Sequence, residues 1–516
     1  MPDESEVSRD VMRLQEAMPL ARHHRDALKV LHSDFSYARK YADGTWVALV
    51  KFGPNIAAMF GLTRDVLVIY SDDVELQPRL FKSFPQRLAD LSPQRAAEDH
   101  FFAVATRDPN GARKLDTWSD EEPYLAFVLP PRSEDERKTS QSILFEMKSR
   151  LASRNLYDET LPVTGRDFFG RRSLLTQMQE ELRQGNVCGV FGLRKTGKTS
   201  TIQELRARYA TEASRIFVLR DLETLPKDSP RLGREFVQDL RQAFLGEFRP
   251  KDVRTGDLND LSVEASVGDL RRALQTSLAD CRKRNIRVVL ALDEIEYLVG
   301  DARTLAEGNR PEVPEILGAL RSLVQENSNF NVIFSGITSA VIHRGELYGL
   351  ENPMFSWAKI YYVPPMSRKE INGLTTEVGT RMALTWRADA LDAVYEQSKG
   401  NVFLHRTLAA TVVRRLNDDS TSPSVNLDDV EASLKPWRRS IAERLREMLK
   451  AFDRHYPTEA TILETFIHDR DTFDELEGVY PAEVHRLLEL ALLQELPSGD
   501  VMLGALGSRL VETGFK

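Results

Sequence analysis

The sequence predicts an α/β fold in which helices cover both faces of a parallel sheet. Strand-sized apolar runs alternate with helical patterns from about residue 164 to residue 367. One run leads into the glycine-containing stretch VFGLRKTGKTS, and another, VVLAL, ends in Asp293 and Glu294. Because parallel strands need crossover helices that return the chain over the sheet, this alternation indicates a sheet buried on both faces.

Length and composition limit the possible classes of protein. The 516 residues suffice for several domains of about 150 residues each. A formal net charge of -8 gives no overall attraction to nucleic acid or anionic membrane. The two cysteines, Cys188 and Cys281, allow one bridge at most and indicate a reducing compartment. With no secretory signal and no run of roughly 18 apolar residues, we expect a soluble, cytoplasmic protein without membrane contact.

Residues 1–155 form the first predicted region. A helical pattern runs to about Leu31, and a second helical pattern, KTSQSILFEMKSRLASR, closes the region. Between them lie β-branched and aromatic runs separated by turn-forming segments: Thr45–Phe52, Asp65–Ser71, Phe101–Arg107 and Tyr124–Pro130. This pattern predicts a separate α/β domain, acting as a sensor or an effector.

Two carboxylate groups in this region raise the alternative of a metal-dependent nuclease. Glu146 and Lys148 have the spacing of a restriction-type pair, but they lie in a helical pattern rather than on a strand. Asp72, Asp73 and Glu75 follow a predicted strand, where strand-end carboxylates can bind metal. A solvated acidic turn explains the second group more simply.

The second region, residues 160–367, contains the predicted parallel sheet. Its predicted strands are NVCGVFG, SRIFVLRDL, IRVVLALDEIEYL, NVIFSG and AKIYYVP, and its main helices are 198–209, 232–248, 267–283 and 315–326.

The stretch from Gly192 to Thr199 fits the pattern G-x-x-x-x-G-K-[ST] of a phosphate-binding loop. Glycines let backbone N–H groups converge on a phosphate, and the following helix points its positive end at the same charge. Lys198 reaches the β and γ phosphates, and the Thr199 hydroxyl can bind Mg²⁺. The residues expected to contact nucleotide here are Gly192, Lys195, Thr196, Gly197, Lys198, Thr199 and Ser200.

Asp293 and Glu294 supply the acidic partner that a nucleotide loop needs. An acid at the carboxyl end of an interior parallel strand lies beside the phosphate loop. We expect Asp293 to hold Mg²⁺ through water and Glu294 to polarise the attacking water. A Glu directly after the Asp is typical of the hydrolytic, ASCE-type branch of P-loop proteins, so ATP hydrolysis by Glu294, Lys198 and Asp293 is expected rather than a kinase reaction.

The chain continues into predicted helices. Residues 368–416 form a helical lid that begins with a capping box between Ser367 and Glu370. Residues 430–516 contain a long helix, further helices and a hairpin, LQELPSGDVMLG, an order that resembles a winged helix. From Asp453 to Lys516 there are 13 acidic and 5 basic residues, which favours protein contacts over DNA. The preceding helix, KPWRRSIAERLREMLK, is the best candidate for any DNA contact.

Between about Val163 and Leu416 the chain resembles the STAND and archaeal-type AAA+ ATPases. The segments that carry the resemblance are Phe169-Gly170-Arg171, the phosphate loop, Asp293-Glu294, FSGITS and SKGNVFLHRTL. The resemblance implies that residues 169–171 seat the adenine of ATP. It implies that Thr338 senses the γ phosphate, and it makes Arg406 a candidate reporter from the lid and Arg344 a candidate that acts across a subunit boundary. For each arginine a surface salt bridge is the alternative. Family lids often carry a G-x-P turn, whereas this chain has Gly400-Asn401-Val402.

The resemblance implies a nucleotide-controlled switch with ATP and Mg²⁺ as cofactors. Such chains often serve prokaryotic conflict (antiphage) or regulatory systems and assemble when ATP is bound, so a homo-oligomer or a partner protein is expected. One alternative is an origin-recognition-like ATPase or loader that binds DNA through the winged helix. Another is an ATPase that regulates a nuclease in residues 1–155.

Overall fold

The computed structural model describes residues 4–91, 95, 97–119, 124–129, 136–153, 155–158, 162–225, 231–382, 384–419 and 424–512. By its internal contacts the chain divides into two compact units. The first comprises Met1–Asp158, Gly373–Ala393 and Ala409–Ser433, and the second comprises Glu159–Asn372, Val394–Leu408 and Leu434–Lys516. The division into domains at 155, 160, 367, 416 and 430 stays a prediction.

The first unit contains a mixed five-stranded sheet in the order β1-β2-β3-β4-β5. Its strands are β1 (Asp34–Lys40), β2 (Trp46–Lys51), β3 (Val66–Tyr70), β4 (Phe101–Ala105) and β5 (Leu125–Val128). β1, β2 and β3 pair antiparallel, and β3, β4 and β5 pair parallel. Its first helices are α1 (Glu4–Ala17), α2 (Pro19–Val30), α3 (Pro54–Met59), α4 (Pro78–Lys82), α5 (Phe84–Ala89), α6 (Gly111–Ser119) and α7 (Glu136–Ser153).

Both faces of this sheet are covered, as the apolar strands predict. In β3, Val66 and Val68 belong to one buried cluster, and Leu67 and Ile69 belong to the cluster on the opposite face. The four predicted strands are present.

Strand β1 is not among the predicted strands, and its local geometry gives the reason. The pairing of β1 with β2 shifts between Phe35 and Tyr37, so the buried residues are Phe35 and Ala38, three positions apart. A bulge of this kind breaks the period-two pattern that identifies a strand in sequence.

The second unit contains a parallel five-stranded sheet in the order β12-β6-β9-β8-β7. The elements from its start are α8 (Arg172–Gln184), β6 (Val187–Phe191), α9 (Lys198–Ala210), β7 (Arg215–Asp221), α10 (Leu232–Phe248), α11 (Gly256–Asn259), α12 (Val267–Lys283), β8 (Arg287–Asp293), α13 (Glu296–Val299), α14 (Ala302–Glu307) and α15 (Glu312–Glu326). They continue with β9 (Phe330–Gly336), α16 (Ala340–His343), β10 (Glu346–Leu347), β11 (Leu350–Glu351) and β12 (Ala358–Tyr362). The predicted α/β core with a parallel sheet is confirmed.

The segment after β12 is mostly helical, as predicted. It contains α17 (Arg368–Arg381), β13 (Thr385–Trp386), α18 (Ala388–Ser398), α19 (Val402–Asp419) and β14 (Ser424–Val425). The capping box at the start of α17 is confirmed: the Ser367 N–H donates to Glu370 Oε2 over 2.8 Å, and the Glu370 N–H donates to Ser367 Oγ over 3.3 Å.

The last elements are α20 (Leu427–His455), α21 (Pro457–His468), α22 (Arg470–Val479), α23 (Pro481–Glu489), β15 (Leu493–Glu495), β16 (Val501–Leu503) and α24 (Ala505–Glu512). β15 and β16 form an antiparallel hairpin. Assignment of residues 430–516 to the winged-helix fold stays a prediction. Among the described residues, no helix is both long enough and apolar enough to cross a bilayer.

Candidate nucleotide-binding site

The phosphate loop joins β6, which is buried throughout, to α9, which begins at Lys198. Its backbone takes positive φ at Gly192 (158°), Lys195 (63°) and Gly197 (90°). Position 197 favours glycine for its φ, and a Cβ there would also displace the guanidinium of Arg171. The N–H groups at the start of α9 therefore lie beside a loop that is curved as an anion site requires.

Lys198 is buried over this loop, with 4% of its surface exposed. Its Nζ donates to the carbonyl oxygens of Gly192 over 3.0 Å and Leu193 over 3.1 Å. Thr196 Oγ1 donates to the same Leu193 carbonyl over 2.8 Å. The ammonium group therefore lies at the loop, where a phosphate can exchange for the two carbonyls.

The two hydroxyl residues that follow Lys198 have different surroundings. Thr199 is half-buried in the first turn of α9. Ser200 Oγ accepts a hydrogen bond from the Val163 N–H over 3.1 Å, so its hydroxyl is engaged by the segment that precedes α8. The metal-binding role of Thr199 stays a prediction.

Arg171 supports the loop from the segment before α8. The residue is 8% exposed and has a left-handed backbone, with φ of 56°. Its Nη2 donates to the Thr196 carbonyl over 2.5 Å and its Nη1 to the Gly197 carbonyl over 3.4 Å. Burial lowers the pKa of Arg171 to about 10. Its guanidinium thus contacts the phosphate loop, a contact that the sequence did not indicate.

The same segment contacts the start of α17. The Arg171 N–H donates to Glu370 Oε1 over 2.9 Å, so the capping residue of α17 also binds this segment. A Cβ at Gly170 would lie 2.8 Å from Met366 Cε and 2.9 Å from Glu370 Oε1. Phe169 is half-buried. The adenine-seating role of residues 169–171 stays a prediction.

The acidic half of the site lies at the carboxyl end of β8. Asp293 is 2% exposed, and its Oδ1 accepts a hydrogen bond from the Glu294 N–H over 3.0 Å. Asp221, at the end of β7, is its register partner. Burial, and then the charges of neighbouring acids that include Asp293 and Glu294, raise the pKa of Asp221. The carboxylates at these neighbouring strand ends are oxygen ligands of the kind that a hard divalent cation prefers.

Glu294 has a left-handed backbone, with φ of 54°, which is costly for a non-glycine residue and is typical of functional positions. Burial, followed by the neighbouring carboxyl of Glu296, raises the pKa of Glu294 to about 8. The charge of Lys198 lowers the pKa of Glu294, which indicates that the phosphate loop and this carboxyl lie close together. Among the described residues, no donor contacts Glu294 Oε2.

Thr338 follows β9, the strand that lies between β6 and β8. It is 3% exposed, and its Oγ1 accepts a hydrogen bond from the Ala340 N–H over 3.2 Å. The residue before it, Ile337, donates its N–H to Glu296 Oε2 over 3.0 Å and accepts at its carbonyl from the Tyr456 hydroxyl over 2.8 Å. Glu296 and Tyr456 were both missed as candidate site residues.

The two arginines with expected sensor or finger roles lie on separate elements. Arg344 directly follows α16 and is exposed. Arg406 is half-buried on α19, beside His405, whose pKa burial lowers to about 3. Both roles stay predictions.

The two carboxylate groups that raise the nuclease alternative lie on separate elements of the first unit. Glu146 and Lys148 lie on α7, as the helical pattern predicted. The residues of the predicted acidic turn, Asp72, Asp73 and Glu75, are all exposed. Two of them form ion pairs, Asp72 with Arg107 and Glu75 with Lys114, each over 3.1 Å.

Within the described part of the chain, the one group of three potential metal ligands is Glu98, Asp99 and His100. Glu98 Oε1 accepts from the backbone N–H groups of Thr63 over 2.7 Å and Arg64 over 3.0 Å, which gives that carboxylate a structural role. Hydrogen bonding to His100 is the largest of the effects that lower the pKa of Asp99 to about 2.

The parallel sheet, the loop cradled at the start of α9 and the acid pair at the end of β8 together define a P-loop ATPase. The family described as AAA domain matches residues 179–341, so the chain contains an AAA-type ATPase domain. No curated protein matches the chain.

Several solved structures are similar to the chain. A Walker-type ATPase of Pyrococcus abyssi has 16% identity over 69% of this chain and 100% of its own, with a TM-score of 0.49. The Aeropyrum pernix ORC2 protein has 13% identity over 70% of this chain and 96% of its own, with a TM-score of 0.40. The RuvB Holliday junction branch migration motor of Thermotoga maritima has 15% identity over 67% of this chain and 96% of its own, with a TM-score of 0.35.

Proposed function

We propose that this ATPase is a molecular switch of the STAND/AAA+ type, in which ATP and ADP stabilise different arrangements of the C-terminal region. In the proposed reaction Lys198 binds the β and γ phosphates, Glu294 orients and polarises the attacking water, and Thr338 senses the γ phosphate. Mg²⁺, held by Thr199 and Asp293, would neutralise charge on the phosphates.

The residues present fit a magnesium nucleotide. Lys198 is a buried cation whose acceptors are two carbonyls of the loop itself, and an incoming phosphate can replace them. Asp221 and Asp293 supply carboxylate oxygen at the strand ends, which is the ligand chemistry of Mg²⁺. Glu294 adds a half-buried carboxyl whose raised pKa suits a proton acceptor near neutral pH.

The observation that supports a switch is that the carboxyl end of α20 and the residue after it contact segments beside this site: the Tyr456 hydroxyl donates to the Ile337 carbonyl, directly before Thr338, over 2.8 Å. Arg454 Nε lies 3.9 Å from Asp301 Oδ2. Burial lowers the pKa of His455 to about 4, and the charges that act on it include Arg194 of the phosphate loop and Glu294. A ligand shifts a conformational equilibrium only through interactions that differ between the two states. Nucleotide phosphates would alter the charge balance at Arg194 and Glu294. Because the charges of both residues act on His455, this change would be felt at the carboxyl end of α20.

The experiment measures the mass of the protein in solution with ATP, with ADP and without nucleotide. The Glu294→Gln variant should bind ATP, hydrolyse it slowly and accumulate in the ATP-dependent assembly. Lys198→Ala, which lacks the phosphate contact, should keep the nucleotide-free mass under all three conditions. A mass that is the same with and without nucleotide for the wild type and for Glu294→Gln would contradict the switch and leave the ATPase assignment intact.

A DNA-binding ATPase of the origin-recognition type is the second candidate, and the surface of α20 favours it. Lys435, Arg438, Arg439 and Arg444 are all exposed on this helix. The acidic balance of residues 453–516 opposes DNA binding. Titration of DNA affinity against salt separates the candidates, because a steep slope that falls in an Arg438→Ala/Arg439→Ala variant supports DNA binding.

We also propose that the switch serves a prokaryotic antiphage or regulatory system, with residues 1–155 as sensor or effector, and the resemblance to STAND proteins supports this proposal. The alternative of a nuclease in that region has less support, because Glu146 and Lys148 lie on a helix. Phage plating on cells that express wild-type protein or Glu294→Gln tests the antiphage role. Equal plating on both, at the level of cells without the protein, would contradict it.

A further inference from the structure

Tyr456 lies between α20 and α21 and is 4% exposed. Its hydroxyl donates to the Ile337 carbonyl over 2.8 Å, and its ring packs 6.0 Å from that of Phe452. Burial raises the pKa of Tyr456, so the hydroxyl keeps its proton and remains a donor at all physiological pH values. The contact joins a residue near the C-terminus to the segment that follows β9.

Ile337 is held on both sides of its backbone. Its N–H donates to Glu296 Oε2 over 3.0 Å, and Glu296 is two residues beyond Glu294. A Cβ at the preceding residue, Gly336, would overlap the same carboxylate, so this segment and the acidic segment approach as closely as glycine allows. The backbone directly before Thr338 is therefore fixed by the acidic segment on one side and by Tyr456 on the other.

The surroundings of Tyr456 make this contact rigid. Arg486 of α23 forms an ion pair with Glu459 of α21, and its guanidinium lies 6.0 Å from the centre of the Tyr456 ring. On the other side of Thr338, the Ser339 hydroxyl hydrogen-bonds the Tyr362 hydroxyl over 2.9 Å. The hydroxyls of the buried Tyr456 and the half-buried Tyr362 thus hold the residues that flank Thr338.

We propose that Tyr456 is a positioning residue of the ATPase, which acts by fixing the Ile337–Ser339 segment so that Thr338 keeps its place beside the γ phosphate. The C-terminal region is then part of the hydrolytic machinery rather than an appended domain. The proposal rests on the ATPase and on the sensor role of Thr338, and it does not require nucleotide-dependent assembly.

The test is steady-state ATP hydrolysis by Tyr456→Phe, which removes the hydroxyl and keeps the ring. The kcat should fall about fivefold, as expected for one buried hydrogen bond that orders the transition state, while KM for ATP stays within about twofold. Tyr348→Phe is the matched control, because Tyr348 also donates its hydroxyl to a backbone carbonyl of the same unit, that of Val299, over 2.7 Å. This control should keep the wild-type kcat and show a similar loss of thermal stability.

A double variant assigns the effect to Thr338. Thr338→Val alone should lower kcat. Adding Tyr456→Phe should lower kcat little further, because both substitutions act through the same contact between Thr338 and the γ phosphate. A wild-type kcat for Tyr456→Phe, an equal fall in Tyr348→Phe, or multiplicative losses in the double variant would each overturn the proposal. These outcomes are independent of the solution mass, so they are distinguishable from failure of the proposed switch.

Discussion

Removal of the Arg171 guanidinium tests how the phosphate loop is held. Arg171→Ala deletes the bond to the Thr196 carbonyl, at 2.5 Å, and the longer bond to the Gly197 carbonyl, at 3.4 Å. A hydrogen bond from a charged donor contributes about 1.5–3 kcal/mol, and the longer contact adds little. If Arg171→Ala removes about 2 kcal/mol of the free energy that holds the loop in its phosphate-binding conformation, the Kd for ADP should rise about 30-fold.

Equilibrium titration with a fluorescent ADP analogue measures this change, and thermal unfolding of each variant shows that it is folded. Arg171→Lys keeps a cation that can reach one carbonyl and should recover part of the affinity. Arg172→Ala is the control, because Arg172 is adjacent and exposed and should bind ADP as the wild type does. If Arg171→Ala binds ADP within about twofold of the wild type, the loop does not depend on this contact and the reasoning is refuted.

Three further predictions concern Gly197, Glu294 and His455. Gly197→Ala should abolish nucleotide binding in a filter or fluorescence assay, because alanine is strained at the φ of 90° and its Cβ would displace the Arg171 guanidinium; wild-type binding would contradict the loop geometry. The raised pKa of Glu294, about 8, predicts that kcat/KM for ATP rises with pH up to about 8 in a pH–rate profile, and a flat profile would refute a base of this kind. The pKa of His455 falls from 6.5 unfolded to about 4 folded, so the unfolded chain gains the proton first. The free energy of unfolding should therefore fall by about 2 kcal/mol from pH 7 to pH 5 as the unfolded chain takes up this proton. Denaturant unfolding of His455→Gln should lack this part of the pH dependence, and a pH dependence identical to that of the wild type would contradict the assignment.

Sequence predicted the nucleotide loop and the acid pair because their chemistry is local. The loop from Gly192 to Thr199 needs particular residues at fixed spacing, and Asp293 with Glu294 stand at the end of an unbroken apolar run. Strands buried on both faces are equally visible, since each is a continuous apolar segment. β1 was not predicted, because its bulge interrupts the alternation of buried and exposed residues that identifies a strand in sequence.

The remaining parts of the site depend on contacts between residues distant in sequence. Arg171 contacts Thr196 and Gly197 only because the segment before α8 packs against the loop, and no spacing in the sequence signals that. Tyr456 lies more than a hundred residues beyond Ile337 along the chain. Glu296 follows the acid pair directly, but its bond to Ile337 needs the adjacency of β8 and β9, which sequence order does not fix.

The most direct test of the central claim compares Mg-ATP binding and hydrolysis by the wild type and Lys198→Ala. Lys198 is the buried cation of the loop, so its removal should abolish tight Mg-ATP binding and hydrolysis together. Lys283→Ala, at the exposed end of α12, is the control and should match the wild type in both. Tight Mg-ATP binding or undiminished hydrolysis by folded Lys198→Ala would contradict the assignment of this loop as the nucleotide site.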